Sequence, residues 1–418
     1  MNHIQITDTQ PIDWVYVSEG GATIVFSYRG REDPRFDGRV LRLRKTSLGG
    51  SGATPSCDID GEEPDDPMVS FQKDFISQLV PQTFLPELDV VLLNPSWLYL
   101  LESLRDRDRP PERRMKDGID KGRRKGVLAT NLIGGEGTIA VEIKPKWGFL
   151  PKAHHLSEET AGTKTSACRF CMHTYLRSEE GGFLSEYCPL DLYSQNETRV
   201  RKALHDLWTA WDRSDGSRNN LRIFASGEMV KPAQDSYGRL VNLLAGDEPS
   251  TSRTDPKDAF ISALIPLLLS SKVLQVISTL QRMLDALDIE GLSKLHAISS
   301  PGNAQSSLAS LTVDPSYEDW HGFVAAYRTG FCSWDHANPD PANIKSYLMA
   351  YLLSATFKDC SVILRIKEGD RSPQGAHSVS IIDLDQKSIN RLGKWEELDR
   401  TIVARYRSAS QQKRCIDQ

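Results

Sequence analysis

The 418-residue sequence has no hydrophobic run long enough to cross a bilayer. Its longest mostly apolar stretch, Ala259 to Leu269, is well short of the ~20 residues that a spanning helix needs, and Asp258 and Lys272 flank it. An excess of one sign of charge is also missing. Lys and Arg number 51 against 56 Asp and Glu, a net charge of −5, so nothing global draws the chain onto nucleic acid and any anion site has to be local. The seven cysteines are dispersed and odd in number, which suits reduced thiols better than a disulfide frame. The opening MNHIQITDTQ has neither a basic segment nor an apolar core, so a secretory signal is not expected and an intracellular setting is. There is no GxxxxGK[ST] phosphate loop. Gly135 to Ala140 formally fits a dinucleotide fingerprint but leads into a Pro-containing strand where a helix is required.

What is present suffices for a folded core. Hydrophobic residues make up 39% and charged residues 26%, and the length predicts two or three domain-sized units. Alternating residues at 14–29 and 39–44 predict antiparallel strands with Gly20-Gly21 between two of them. Thr46 to Pro67, crowded with Gly, Ser, Pro and acids, predicts a mobile excursion, and a helix follows near Met68–Leu79. The almost wholly charged run Asp106–Lys125 carries too many charges to pack alone. Strands at Gly126–Asn131 and Thr138–Ile143 then read as a passage between lobes. Helices are expected at Glu197–Trp211, Ala259–Leu287 and about Ile344–Thr356, with a loop at Ser299–Ser316.

Three peptides concentrate chemistry. In VEIKPKWGFLP (141–151), a strand puts Glu142, Lys144 and Lys146 on one face, where two lysines repel unless an anion lies across them. A solvated strand face is the competing reading, although the apolar turn that follows argues for the rim of a cleft. In SVSIIDLDQKSINRLGKW (378–395), Asp383 and Asp385 stand at i, i+2 on a strand end, a carboxylate pair suited to Mg²⁺. Lys387, Arg391 and Trp395 follow at i+4 steps and would share a helical face. Asp359, at a helix-to-strand junction, is either a second metal ligand or an exposed turn acid. In SACRFCMHTYLR (166–177), a helix aligns Arg169, His173 and Arg177. Cys168-x-x-Cys171 invites a zinc or redox reading, but a metal site needs further ligands and Cys188 has no paired partner nearby in sequence, so ordinary packing is expected. His321, Cys332 and His336 lack a clear fourth ligand, and no zinc is assigned to them.

Arg42, Arg113-Arg114 and the segment Arg218–Arg222 add further cations. Metal-suited aspartates, a glycine turn and cations from separate segments suit phosphoryl transfer to a heavily phosphorylated acceptor. The chain has no H-R-D-x-x-x-x-N loop and no D-F-G, so it is not a protein kinase of the usual kind. A nucleic-acid module fits poorly, and a non-catalytic inositol-phosphate or phosphoinositide sensor would have no need of Asp359, Asp383 and Lys144 together.

Glu142-Ile-Lys-Pro-Lys146 with Gly148-Phe-Leu-Pro151, Arg169-Phe-Cys-Met-His173, Tyr187 with Pro189-Leu-Asp-Leu192, and Asp383-Leu-Asp-x-Lys387 closely resemble the inositol-pentakisphosphate 2-kinase family in both content and order. The resemblance implies an α+β, divergent two-lobed kinase-like fold: a small β-rich N-lobe over 1–125, a hinge over 126–131 and a larger α/β C-lobe over 132–418. It implies ATP and Mg²⁺ as cofactors, inositol pentakisphosphate and inositol hexakisphosphate as partners, no membrane or nucleic acid, a monomer, and a cytoplasmic or nuclear location. By resemblance, Gly20, Gly21, Ala22, Arg42, Asn131 and Glu142 serve the nucleotide. Asp383 and Lys144 are catalytic, and Asp359 and Asp383 hold the metal. Arg114, Lys146, His173, Arg177, Asn219, Arg222, Lys387, Arg391 and Trp395 bind the inositide. The plant members' zinc site, with two closely spaced cysteines, has no clear counterpart at His321, Cys332 and His336.

Overall fold

The computed structural model describes residues 4–48, 63–245, 255–299, 307–367 and 378–417. Much of the excursion expected over Thr46–Pro67, and part of the loop expected over Ser299–Ser316, lie outside these residues. The fold is α+β, with two sheets among the described residues.

The first sheet takes β1 (Ile4–Gln5), β2 (Trp14–Glu19), β3 (Thr23–Tyr28), β4 (Arg39–Ser47), β5 (Leu88–Leu92), β6 (Asp117–Ile119) and β7 (Lys125–Thr130). Its order is β1-β5-β7-β4-β3-β2, with β6 paired to β4. Alternation on these strands buries Ile24, Phe26, Leu41, Leu43 and Leu128 on one face, where Trp14, Trp97 and Phe36 complete an aromatic core. The helix Pro95–Arg105 closes that core. It starts where it does because the Asn94 Oδ1 accepts from Trp97 N (3.1 Å) and Pro95 occupies the first turn.

The charged run is better packed than its composition predicts. Arg109 is 3% exposed. Its guanidinium reaches Glu19 at 2.9 Å and Asp117 at 2.6 Å, while Lys45 pairs with Glu19 at 2.6 Å. Alternating signs let one segment supply both partners of a buried network, which a count of charges cannot reveal.

β7 is an inner strand of this sheet, paired with β4 on one side and β5 on the other. The second sheet runs β10-β9-β8-β11-β12, formed by β8 (Thr138–Ile143), β9 (Leu221–Ala225), β10 (Glu228–Val230), β11 (Ser361–Lys367) and β12 (Val379–Ile382). All its pairings are antiparallel, which corrects the expected α/β character of the larger part to α+β. One face, with Ile139, Val141, Ile143, Ile223, Val362, Leu364 and Ile381, belongs to the main helical core. The other carries Ala140, Phe224 and Ile363, covered by Leu132 from the segment that has just left the first sheet.

The helix expected over Ala259–Leu287 is two, Pro256–Ser271 and Val273–Leu284, broken where Lys272 takes a left-handed φ of 59°. Periodicity alone hides the break because both halves are rich in apolar residues. The chain bends by 57° between Pro256–Ser271 and the segment Val273–Ser299, and the helix Val273–Leu284 packs against the helix Ile344–Asp359. No single helix among the described residues is long and apolar enough to cross a membrane.

Candidate functional site

β8 ends at Ile143, and the next five residues cross the end of the second sheet as a strap fixed at nearly every peptide. Lys144 N donates to Asn220 O at 3.0 Å, and Asn220 Nδ2 donates back to Lys144 O at 3.3 Å. Tyr187 Oη donates to Pro145 O at 3.0 Å. The Lys146 carbonyl accepts from Tyr193 Oη (3.2 Å) and from Gln281 Nε2 (2.9 Å), and Gly148 N donates to Gln281 Oε1 (2.7 Å). Gln281 Nε2 also donates to Phe357 O at 2.9 Å, two residues before Asp359. Gly148 is obligatory here: a Cβ would lie 2.9 Å from Tyr193 Cε2 and 3.0 Å from Ser278 Cβ.

This clamping holds Lys146 at a φ of 67°, a left-handed conformation that a non-glycine residue adopts only when its surroundings impose it. Strict alternation of Glu142, Lys144 and Lys146 on one strand face therefore stops at Ile143. The charges converge all the same. Lys144 Nζ is 2.8 Å from Asp383 Oδ2, Lys146 Nζ is 3.1 Å from Asp359 Oδ1, and Lys387 Nζ is 3.1 Å from Asp359 Oδ2. Glu142, paired across β8 and β9 with Arg222, meets its guanidinium at 3.4 Å and accepts from Ser361 Oγ at 2.8 Å. Ser361 Oγ also lies 3.3 Å from Asp383 Oδ2.

Asp383 lies just past the end of β12 with a φ of 61°, so the strand's alternation does not extend to Asp383 and Asp385. The carboxylate that shares the lysine cluster with Asp383 is Asp359, at the end of the helix Ile344–Asp359. Burial works against the charge of Lys144, but Asp383, Glu142 and Asp359 outweigh it and hold the ammonium above its usual range. Burial would raise Asp359, yet Lys146 and Lys387 hold its carboxyl below the ordinary value. The carboxylates stay reachable, with side chains 54% exposed at Asp359 and 41% at Asp383, while Lys144, Lys146 and Lys387 are each 16% exposed or less. Such a cluster can exchange its internal ion pairs for an incoming polyanion and a cation.

Beside it stands the helix Arg169–Glu179, capped by Cys168. His173 on this helix is pushed down to about 4 by burial and by the positive charges of Arg177, Arg169 and Lys146. Arg177 is exposed, whereas Arg169 pairs with Asp399 (2.9 Å) and lies over the ring of Trp147. Lys387 precedes the helical turn at Ile389–Arg391, so it does not share a helix face with Arg391 and Trp395. Arg391 is exposed, Trp395 packs near Tyr351, and Asn219 is exposed in the turn before β9.

In the first sheet, Gly20 and Gly21 form the β2–β3 turn, with Gly20 N bonded to Thr23 O (2.9 Å) and Lys45 N to Ala22 O (3.0 Å). A Cβ on either glycine would meet nothing within 4 Å. Arg42 and Arg114 each bury a guanidinium Nε with no protein partner among the described residues. Asn131 is already engaged: its amide donates to Ser27 Oγ (3.0 Å) and accepts from Gly134 N (2.8 Å).

With the geometry in place, the family can be settled by comparison. The sequence profile described as inositol-pentakisphosphate 2-kinase matches residues 16–401. A protein of Cryptococcus neoformans var. neoformans serotype D with that name is 36% identical over 409 residues, covering 94% of this chain and 93% of the relative. The chain belongs to the inositol-pentakisphosphate 2-kinase family. More distant relatives of the same name come from Arabidopsis thaliana, 25% identical over 94% of this chain and 93% of its own length, and from Danio rerio, 26% identical over 96% and 94%.

Sequence reasoning singled out Tyr187 and the segment Arg218–Arg222 without giving Tyr187 or Asn220 a positioning role, and it missed Ser361, Tyr193 and, above all, Gln281. A glutamine at a core position of an apolar helical pattern, four residues after Ile277 and three before Leu284, is the signal that could have marked Gln281.

Proposed function

We propose that the chain transfers the γ-phosphoryl group of ATP to the 2-hydroxyl of inositol 1,3,4,5,6-pentakisphosphate, releasing ADP and inositol hexakisphosphate. The observation that carries the reading is the convergence of Lys144, Lys146 and Lys387 on the exposed carboxylates Asp359 and Asp383, with Lys144 and Lys146 more than two hundred residues from those aspartates in sequence. Asp383 accepts the proton of the attacking hydroxyl, and Lys144 neutralises the charge that develops on the transferring group. Asp359 and Asp383 offer the hard oxygen donors that Mg²⁺ takes, and bound Mg²⁺ would screen the nucleotide phosphates. Lys146, His173, Arg177, Arg222, Lys387 and Arg391 then face the acceptor's phosphates, with Asn219 and Trp395 at the margin.

The arrangement is read as a divergent two-lobed kinase-like fold, with 1–125 as N-lobe, 126–131 as hinge and 132–418 as C-lobe. The glycines of the β2–β3 turn support a nucleotide role, since neither crowding nor backbone conformation in the free chain requires them. The unpaired Nε groups of Arg42 and Arg114 support contacts to phosphates from above. Incubation with ATP, Mg²⁺ and inositol pentakisphosphate, with anion-exchange separation of the products, tests the reading. Stoichiometric ADP and inositol hexakisphosphate are expected; tight inositide binding without turnover would favour a sensor instead.

A further inference from the structure

Two arginines from different segments meet on one aromatic ring close to the lysine cluster. The helix Arg169–Glu179 ends in a turn in which Gly181 takes a φ of 94° and Gly182 N donates to Arg177 O at 3.1 Å. A Cβ on Gly182 would lie 2.9 Å from that oxygen, so the turn needs glycine there. It delivers Phe183 to the arginines. The Arg218 guanidinium carbon stands 4.0 Å from the centre of the Phe183 ring and that of Arg213 4.7 Å, and Arg218 Nη2 donates to the Phe183 carbonyl. Arg213 ends the helix Glu197–Arg213, and Arg218 lies in the turn before β9, where its N donates to Ser214 Oγ at 3.2 Å.

The same turn is bonded to the site already described. Asn220, two residues on from Arg218, exchanges hydrogen bonds with the Lys144 backbone, and Arg222 pairs with Glu142. What the arginines lack is an acid. Arg169, Arg199 and Arg222 pair with Asp399, Asp191 and Glu142, whereas Arg177, Arg213 and Arg218 have no carboxylate within ion-pair distance among the described residues. Asp215, in the intervening turn, accepts from Ala233 N at 3.1 Å. Burial and the charges of Arg177 and Arg213 hold the Arg218 guanidinium below its usual range, yet arginine keeps its proton, so the repulsion persists until an anion arrives.

We propose that Arg213 and Arg218, held on Phe183, form an outer phosphate subsite that fixes an acceptor phosphate additional to those assigned to Lys146, His173 and Lys387, and so selects for highly phosphorylated inositols. The inference rests on the inositide reading of the cluster. Arg177, whose charge acts on both His173 and Arg218, joins the two sets. Stacking on Phe183 orients the guanidinium planes and leaves most of their N–H edges open to paired phosphate oxygens. Packing alone would need one arginine on the ring, and a second without a counter-charge only adds repulsion.

The test is titration calorimetry on the full chain. Arg218→Gln and Arg213→Gln should each weaken inositol pentakisphosphate binding about tenfold or more, since hydrogen bonds to charged groups carry that much affinity, and leave ATP binding unchanged. Arg201→Gln, which removes a charge paired with Glu197 on the same helix as Arg213, should leave both affinities as they are. Should Arg218→Gln fail to fold, exposed Arg213→Gln decides alone. One inositol tetrakisphosphate isomer, the one lacking the phosphate held here, should bind the parent and Arg218→Gln alike. Equal weakening of every tetrakisphosphate would reduce the pair to electrostatics at a distance and overturn the subsite, as would unchanged inositide affinity in the variants. A parent chain that binds no inositide would overturn the functional reading and the subsite with it, so the two failures are told apart without measuring turnover.

Discussion

The Lys144 ammonium and the Asp383 carboxylate, 2.8 Å apart, neutralise each other in the free protein. In the proposed mechanism, substrate binding redirects both, Lys144 to phosphate oxygens and Asp383 to the hydroxyl or the metal. Asp383→Asn keeps the size and removes the base, so kcat should fall by roughly 10²–10⁴-fold while inositide affinity measured by calorimetry stays near the parent value. A variant with more than a tenth of parental turnover would remove Asp383 from the chemistry. His173 gives a pH test. Its folded pKa, about 4, lies below the ordinary 6.5, so the unfolded chain binds the proton more readily. The stability this contributes is present above pH 6.5 and is lost as pH falls from there towards 4. A polyphosphate laid against His173 reverses the bias by stabilising its cation. NMR titration of its ring should therefore show an upward shift of the midpoint on adding inositol pentakisphosphate, together with proton uptake seen as buffer-dependent binding enthalpy. An unchanged midpoint would place the acceptor elsewhere.

The strap from Lys144 to Gly148 is the element on which the site hangs. The EIKPK spacing marked its charges correctly, but Lys146's left-handed backbone follows from Gln281, Tyr193 and Tyr187, contributed by other segments. Sequence alternation therefore found the cluster's members and misread how they are displayed. The same limit applies to Asp383, whose φ of 61° lies outside the strand geometry assumed for it, and to Asp359, which Lys146 and Lys387 tie into the cluster. Gln281 is wholly buried and bonds both the strap and the Phe357 carbonyl, so it sets the spacing between Lys146 and Asp359. Gln281→Leu leaves buried backbone groups unpaired, each costing about 1–3 kcal/mol. Thermal unfolding should show a clear loss of stability, and kcat/KM for the inositide should drop more than that for ATP. Equal losses for the two substrates would mean that Gln281 supports the fold without positioning the acceptor side.

At the scale of the whole molecule, the strands at 14–29 and 39–44 and the helices at 197–211 and 344–356 were readable because their apolar spacing is regular and their ends carry turn or cap residues. What pairs with what was not readable: β8 lies between strands from residues 221–225 and 361–367, and Cys415 meets Cys168 across most of the chain. Long-range convergence of this kind has no local signature. The charged run between the sheets divides in the same way. Arg109 is locked into the Glu19, Lys45 and Asp117 network, whereas Arg114, in the four-residue helix Pro111–Arg114, has a buried Nε with no protein partner among the described residues. Only the second part is free to respond to an anion. A substrate phosphate contacting Arg114 would draw the first sheet towards the second by no more than the energy of that contact, and closure would tighten nucleotide binding in turn. Hydrogen exchange should therefore slow at residues 111–116 when inositol pentakisphosphate is added, while the amides around Arg109 stay as protected as before. Arg114→Ala should abolish that slowing and raise the KM for the inositide several-fold. Equal exchange at 111–116 with and without the inositide would rule out closure through Arg114 even if turnover is intact.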